Sequence, residues 1–505
     1  MEGSEMIEIP YLLSLLILVP LIGTVATLFL GGKGKNAAIV AGVFSVIELI
    51  LALTLVFVED LSTLSESYVW IDAMGLKINF ALGVDGLSIL MVVLTAILMP
   101  VVILYSLSEG DRPNYFHALM LAIQVGLMGV YLAQDYFLFY VMWEVTLIPM
   151  YFLISWYGGP RRHYAAIKFF IYTHVASLVM LIGIFATVFQ AATVNGYIDF
   201  SFAAVLAASP AFSEMFQTVV FGLLFFGFIV KMPMVPFHTW LPDAHVEAPT
   251  GGSVMLAAVM LKMGSYGIIR ICLEVFPEAA INWQWVMIAI GLASMVYGAY
   301  ACIAQKDLKK MVAYSSISHM GLVLLGIAML SPAGITFAVL QMFAHGLISA
   351  VLFMVCGFVG HSLGTRDIPL LGGLAGKLPY MSAFMMFSFM ASLGLPGLVG
   401  FVAEFGVLFS FWEFLSGSEY AILIAFGPVY MMLTAGYYLW AMQRTLFGKE
   451  TEKVDLSHAH DLRRSEAVSM GILCALIALF GIMPLLATDF IAPYADYIVA
   501  IIGGV

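Results

Sequence analysis

Charge is what this chain of 505 residues has least of: Asp, Glu, Lys and Arg make up 10% of it, against 63% hydrophobic residues. An ordinary globular domain is about half apolar and about a quarter charged, so this composition excludes one and indicates a polytopic membrane protein. Cysteine is scarce too. Cys272, Cys302, Cys356 and Cys474 all lie in apolar stretches without pairing or CxxC spacing. They read as small core residues, and disulfides, haem and iron–sulfur sites find no support in them. Long polar segments are missing as well. The longest gaps, roughly Glu59 to Leu82 and Ala191 to Phe212, are too short for a soluble catalytic domain, so redox or nucleotide chemistry would have to belong to partners. The N-terminus, MEGSEMIEIP, lacks the basic residues of a signal peptide, so the first apolar stretch reads as a retained helix. The net charge of −11 gives no reason to expect nucleic-acid binding.

What is present is a series of about fourteen apolar runs of membrane length. They cover 6–30, 37–58, 84–107, 115–132, 136–157, 165–190, 213–231 with a broken continuation to about 242, 250–275, 284–304, 312–330, 333–361, 380–415, 421–446 and 466–488. The charges test this count. Sixteen of the twenty Lys and Arg residues, from Lys33 and Lys35 through Lys309 to Arg463 and Arg464, fall in loops on one side, whereas Lys77 and Arg270 fall on the other. Losing or adding a helix would scramble that alternation. The positive-inside rule then puts both termini outside.

Two runs are interrupted. In FGLLFFGFIVKMPMVPFHTW, Pro233 and Pro236 follow Lys231, and their missing donors free the carbonyls of Ile229 and Met232. In ASLGLPGLVGFVAEFG, Pro396 lies among Gly394, Gly397 and Gly400 ahead of Glu404. Irregular backbone at membrane depth is tolerated only in a protein interior or along a cavity, and it commonly marks an ion site. These are helices seven and twelve, five spans apart. An odd repeat must re-enter from the opposite side, so helices four to eight (111–280) and nine to thirteen (281–447) are expected to be inverted repeats, flanked by helices one to three (1–110) and by a loop with helix fourteen (448–505). The fold expected is an all-α polytopic membrane protein with two inverted five-helix repeats, each holding a discontinuous helix.

Ionisable side chains at membrane depth are costly and usually carry function. Lys231 and Lys262 lie in adjoining spans and Glu144 in FLFYVMWEVTLIPM. A Glu144–Lys231 pair would be switchable by small rearrangements, since each partner shifts the other's proton affinity. Histidine is the side chain whose ordinary titration falls nearest neutrality, and His319 and His345 lie between Lys262 and Glu404 in sequence, which extends the row to a proton wire. Glu48 and Asp85 lie outside the repeats and read as structural. The turn HTWLPDAHVEAPT offers His238, Asp243, His245 and Glu247, but lacks metal-ligand spacing and a rigid helix, so it reads as a polar plug that admits protons. An autonomous carrier would need a solute-binding set, and a mere anchor would not need the buried charges.

At these residues the chain resembles a known family. MWEVTLIPMYFLISWYGG, KMPMVPFHTWLPDAHVEAPTGGSVMLAAVMLKMGSYGIIR, AYSSISHMGLVLLG and LPGLVGFVAEF are similar to the antiporter-like proton-pumping subunits of respiratory complex I and its relatives, specifically the M-type (chain 4). The resemblance implies that Glu144 and Lys231 form an input pair, Lys262 is the central relay, His319 and His345 continue it, and Glu404 is the terminal group. His238, Asp243, His245 and Arg270 are expected as accessory polar residues. The L-type and N-type sisters and the multi-subunit cation/proton antiporters generally carry lysine where this chain has Glu404. The L-type also has a long lateral helix, which the tail after Thr488 is too short to supply. The resemblance further implies L-type and N-type neighbours, surrounding lipid and a peripheral redox arm in a prokaryotic plasma membrane. It places flavin, iron–sulfur clusters and a quinone-type acceptor in partner subunits and none on this chain, and leaves the donor open among NADH, deazaflavin and ferredoxin. The alternative is a subunit of a cation/proton antiporter or membrane-bound hydrogenase.

Overall fold

The computed structural model describes residues 9–32, 34–73, 75–107, 111–454, 456 and 459–503. Lys33 and the first eight residues, read above for sidedness and for a retained helix, lie outside the described residues. The chain opens with α1 (Leu12–Leu30) and α2 (Asn36–Thr54), then a hairpin of β1 (Ser65–Ala73) and β2 (Leu76–Gly83). There follow α3 (Ser88–Tyr105), α4 (Pro113–Leu132), α5 (Tyr136–Tyr157) and α6 (Arg162–Asn195), a short β3 (Ile198–Asp199) and α7 (Phe202–Ala208). The middle of the chain is α8 (Glu214–Lys231), α9 (Trp240–Glu247), α10 (Thr250–Met255) and α11 (Lys262–Gly267), then α12 (Pro277–Ile303), α13 (Leu308–Ala328) and α14 (Pro332–Leu363). The last part is α15 (Leu374–Lys377), α16 (Pro379–Ser392), α17 (Val399–Leu415), α18 (Phe426–Leu446), α19 (Arg464–Ile482) and α20 (Leu485–Gly503).

Among the described residues fourteen helices are long and apolar enough to cross a membrane; thirteen match runs read from the sequence, the halves of the expected broken run 380–415 are each shorter than that, and a helix after Pro484 makes the fourteenth. The run 380–415 is two shorter helices, α16 and α17, with the chain turning between them at Gly394 (φ 82°) and Gly397 (φ 94°), a left-handed backbone that favours glycine. The run 466–488 stops at Ile482, where Met483 leaves the helical conformation and Pro484 follows. Beyond it the residues taken for a tail form α20. This helix packs its middle against one face of the bundle: Tyr494 and Tyr497 donate to Glu274 at 3.2 Å each, and Arg270 lies over the Tyr494 ring.

The other break stands where the sequence placed it, but its backbone is better satisfied than expected. Ile229 O accepts from Met234 N at 2.9 Å and Val230 O from the Trp240 indole at 2.9 Å, while Val235 N donates to Ser294 Oγ at 3.0 Å. Backbone freed by the prolines is thus tied down by tertiary partners, as membrane depth requires. The two longest polar gaps also meet. β1 pairs antiparallel with β2, and β3 adds to β2 in parallel, with Lys77 and Asp199 bridged at 3.3 Å.

The core is the stretch Thr250–Leu273 with α13 and α14, whose apolar windows are 100%, 94% and 94% buried, against 28% for α2 and 22% for α19. Side chains on these three helices are therefore shielded from lipid by the rest of the chain. The cysteines are all free, three of them buried. The side holding Arg161, Lys309, Arg366 and Arg463 is called the basic side below, and the side holding the small sheet and Arg270 the far side.

Candidate functional site

Lys262 occupies the centre of that core. Its segment winds as α10, a wider π turn (Leu256–Met260), α11 and a second π turn (Ile268–Leu273). Wider turns disturb the regular backbone ladder and recur at functional sites. Here the Lys262 ammonium donates to Ala257 O at 2.5 Å and reaches His345 Nδ1 on α14 at 2.6 Å. A charged lysine can only donate, so His345 then accepts on Nδ1; with the charge moved to His345, the neutral amine becomes the acceptor. The same contact fits both proton positions.

From His345 the row continues by ring proximity rather than by a hydrogen bond. Its ring lies 5.5 Å from that of His319 on α13, and His319 Nδ1 is 3.2 Å from Glu404 Oε1 on α17. The Tyr430 hydroxyl bridges the last step, 2.9 Å from His319 and donating to Glu404 at 3.2 Å. Gly394 makes room for the carboxylate: a Cβ there would lie 2.8 Å from Glu404 Oε2. The other imidazole nitrogen of His319 meets Ser392 Oγ at 3.2 Å, which donates to Tyr438, which donates to Ser315. Lys262, His345, His319, Tyr430 and Glu404 are all at most 4% exposed. Sequence reading missed the hydroxyl partners, although Tyr430, Thr434 and Tyr438 recur every fourth residue in α18 and so share one helix face.

The first half of the row is arranged differently. Lys231 is buried, yet its ammonium meets no hydrogen-bond partner and lies 5.7 Å from the ring centres of Trp143 and Phe169. The expected contact pair with Glu144 does not form among the described residues. Glu144 is only partly buried and is bound elsewhere, to His174 Nδ1 at 2.9 Å and to the Ser177 hydroxyl. The reason is the helix face: Trp143 points inward to Lys231, and its neighbour Glu144 is rotated toward α6 and the surface of the chain. The two lysine helices do adjoin. Gly264 lies against the end of α8, where a Cβ would stand 2.5 Å from Phe228 O.

The accessory residues divide between the two sides. On the basic side Asp243 takes Lys168 at 2.7 Å and Arg161 at 3.8 Å, and Glu247 takes Arg161 at 3.7 Å. Both rings of His238 and His245 are buried with no hydrogen-bonding partner, His245 stacked on Phe353 at 4.4 Å. Beside them an opening of about 530 Å³ is lined by Glu247, Pro249, Thr250, Asp307, Lys309 and Arg366. Lys309, counted from sequence only as a loop charge, is buried there and donates to Ala248 O at 2.6 Å. Arg270 stands apart on the far side, bound to Asp85 and, at 3.6 Å, to Glu274.

Fold and site together define a class, a multi-pass membrane protein with two discontinuous helices and a buried row of lysine, histidine and glutamate. The chain belongs to the family described as NADH:quinone oxidoreductase/Mrp antiporter, transmembrane, whose model matches residues 133–434. It is 41% identical over 499 residues to F(420)H(2) dehydrogenase subunit M of Methanosarcina mazei, covering 97% of this chain and 98% of that one. It is 38% identical over 470 residues to NADH-quinone oxidoreductase subunit M of Rhodobacter capsulatus, covering 92% and 91%. Among solved structures, respiratory complex I from Thermus thermophilus with bound NADH contains a chain of the same fold. That match has a TM-score of 0.86 and 27% identity, over 97% of this chain and all of the other.

Proposed function

We propose that this chain is a proton-translocating membrane-arm subunit of a redox-driven pump related to complex I. The observation that carries the reading is the buried row in which Lys262 meets His345, the His345 ring lies 5.5 Å from that of His319, and His319 and Tyr430 reach Glu404. In this reading protons enter from the basic side at the opening beside Lys309 and pass the unpartnered His245 to Lys262. The Lys262–His345 contact moves charge without side-chain travel, and His319 delivers it to Glu404. Lys231 sets the timing: when its ammonium gains a counter-charge it holds its proton, and when it loses one it repels charge on Lys262. Glu144 and His174, at the chain's surface, are placed to pass such a signal from a neighbouring subunit. Flavin, iron–sulfur clusters and a quinone-type acceptor are assigned to partner subunits, with L-type and N-type neighbours and a peripheral redox arm. The basic side is the inner side of a prokaryotic plasma membrane, and no metal or redox site is assigned to this chain.

The test is Glu404→Gln in the assembled complex, in vesicles, with oxidation and proton uptake measured together. The expected result is fewer protons per electron, with Glu404→Lys partly restoring them because the sister subunits carry lysine there. An unchanged stoichiometry in the glutamine variant removes Glu404 from the path. A second reading, a subunit of a cation/proton antiporter, is favoured by the breadth of the family itself. It predicts sodium-dependent proton movement in the absence of a redox donor.

A further inference from the structure

Four polar side chains in the amino-terminal helices take no part in that row. Thr27 on α1, Glu48 on α2, and His117 and Gln124 on α4 are fully buried, and the hydroxyl, carboxyl, imidazole and amide atoms they carry meet no hydrogen-bond partner. Buried polar groups are nearly always paired, so four orphans on three contiguous helices form a pattern that requires a cause. The helices meet at Gly23, where a Cβ would lie 2.7 Å from Phe44 Cβ on α2 and 3.1 Å from Leu121 on α4. Helical spacing then sets the levels. Glu48 stands one turn past Phe44 and Gln124 one turn past Leu121, both away from the basic side. Thr27 stands one turn past Gly23 and His117 one turn before Leu121, both toward it. The orphans thus form two layers, one near the basic ends of the helices and one about 17 Å in, close to the middle of a hydrocarbon core about 30 Å thick.

No lysine or arginine lies on α1, α2, α3 or α4. A carboxylate at that depth without a cation is far costlier than the neutral acid, so Glu48 holds a proton. The acid offers one donor and one acceptor, and the Gln124 amide offers the complementary pair, yet neither reaches the other directly. Buried polar groups so placed are ordinarily joined by bridging water. Toward the far side the same helices carry buried Leu13 and Leu16 on α1, Ala52 on α2 and Leu127 and Met128 on α4, and the Glu66 carboxylate caps Leu13 N and Ser14 N at the end of α1. The few oxygens present do not make a cage for a metal cation. We propose that Glu48 and Gln124 form a separate proton-binding site, hydrated from the basic side past His117 and Thr27 and closed toward the far side. Glu48, read from the sequence as structural, is thereby assigned a ligand.

The experiment uses the whole complex in vesicles and needs no pumping assay. Infrared spectra of the parent minus Glu48→Gln are expected to show a protonated-carboxyl carbonyl band that shifts on transfer to deuterium oxide. Dicyclohexylcarbodiimide supplies an independent readout on the unmodified parent. The acid O–H adds across a carbodiimide N=C bond, oxygen to carbon and hydrogen to nitrogen, and the product rearranges to a stable N-acylurea that peptide mapping locates. At neutral pH the Glu48 adduct is expected to exceed that at the exposed Glu59 by about tenfold or more, because exposed carboxylates are ionised there. No Glu48 adduct, or a difference spectrum showing an ionised carboxylate, overturns the site. A band that does not shift in deuterium oxide overturns its hydration. Neither readout depends on the row from Lys262 to Glu404, so failure here leaves that proposal standing.

Discussion

The two buried lysines stand in opposite conditions. Lys262 has two partners within 2.6 Å and passes into a chain of paired groups, whereas Lys231 has none and is held between two aromatic faces. Cation–π contact stabilises an ammonium by about 0.5–2 kcal/mol, well short of what full hydrogen bonding supplies in a dry site. One end of the row is therefore preorganised, and the other is poised, awaiting a partner from water or from a shift of Glu144. In the proposed pump the preorganised end conducts and the poised end sets the timing.

The largest effect is expected at Lys262. In the proposed path Lys262 is the group between the basic-side opening and His345, so with Lys262→Ala redox-driven proton uptake in vesicles should fall about tenfold or more, equivalent to about 1.4 kcal/mol on the barrier. Assembly should persist, and an assembled variant pumping at the parental rate breaks the comparison. Next is stability. Lys262→Met strands Ala257 O and His345 Nδ1 and should cost about 1–3 kcal/mol. Lys231→Met removes an unpaired buried charge and should be neutral or stabilising. Thermal unfolding of the purified complex checks both, and equal losses would mean that the two lysines do not differ.

Glu144→Gln keeps hydrogen bonds to Ser177 and His174 but cannot change charge. Proton uptake is expected to drop severalfold with assembly intact, and Glu144→Asp should retain part of it. A glutamine variant with parental rate and stoichiometry reduces Glu144 to a structural residue. The smallest effect is expected for Tyr430→Phe, because His319 still reaches Glu404 directly at 3.2 Å. Loss of one bridging hydroxyl is worth about 0.5–1.5 kcal/mol, so uptake should slow about two- to tenfold. No change would mean that the proton bypasses Tyr430.

Much of the site was legible because membrane depth makes ionisable residues conspicuous. Lys231, Lys262 and Glu404 stand out in apolar runs, and Pro233, Pro236 and Pro396 announce the breaks. His345 and His319 were named as the next members of the row, but the other partners were not legible. Trp143 and Glu144 are adjacent in sequence, and which of them turns to Lys231 depends on how α5 is rotated against α6 and α8. Tyr430, Ser392 and Ser315 are unremarkable in apolar helices until packing brings them to His319. Lys309 looked like one more loop charge until α9 covered it.

By itself, the sequence determined what composition and periodicity control: a multi-pass chain with its basic residues segregated to one side, two interruptions, and a short roster of buried titratable groups. These follow from one-dimensional quantities, since hydrocarbon thickness fixes run length and proline and glycine fix where a helix stops. Tertiary structure decided what depends on rotation and contact. It paired Lys262 with His345 and left Lys231 alone, joined the two polar gaps in one sheet, folded the last residues into α20, and aligned Thr27, Glu48, His117 and Gln124 along one seam. Those outcomes depend on which face each helix turns to its neighbours, and that choice is made by the packing of all of them together.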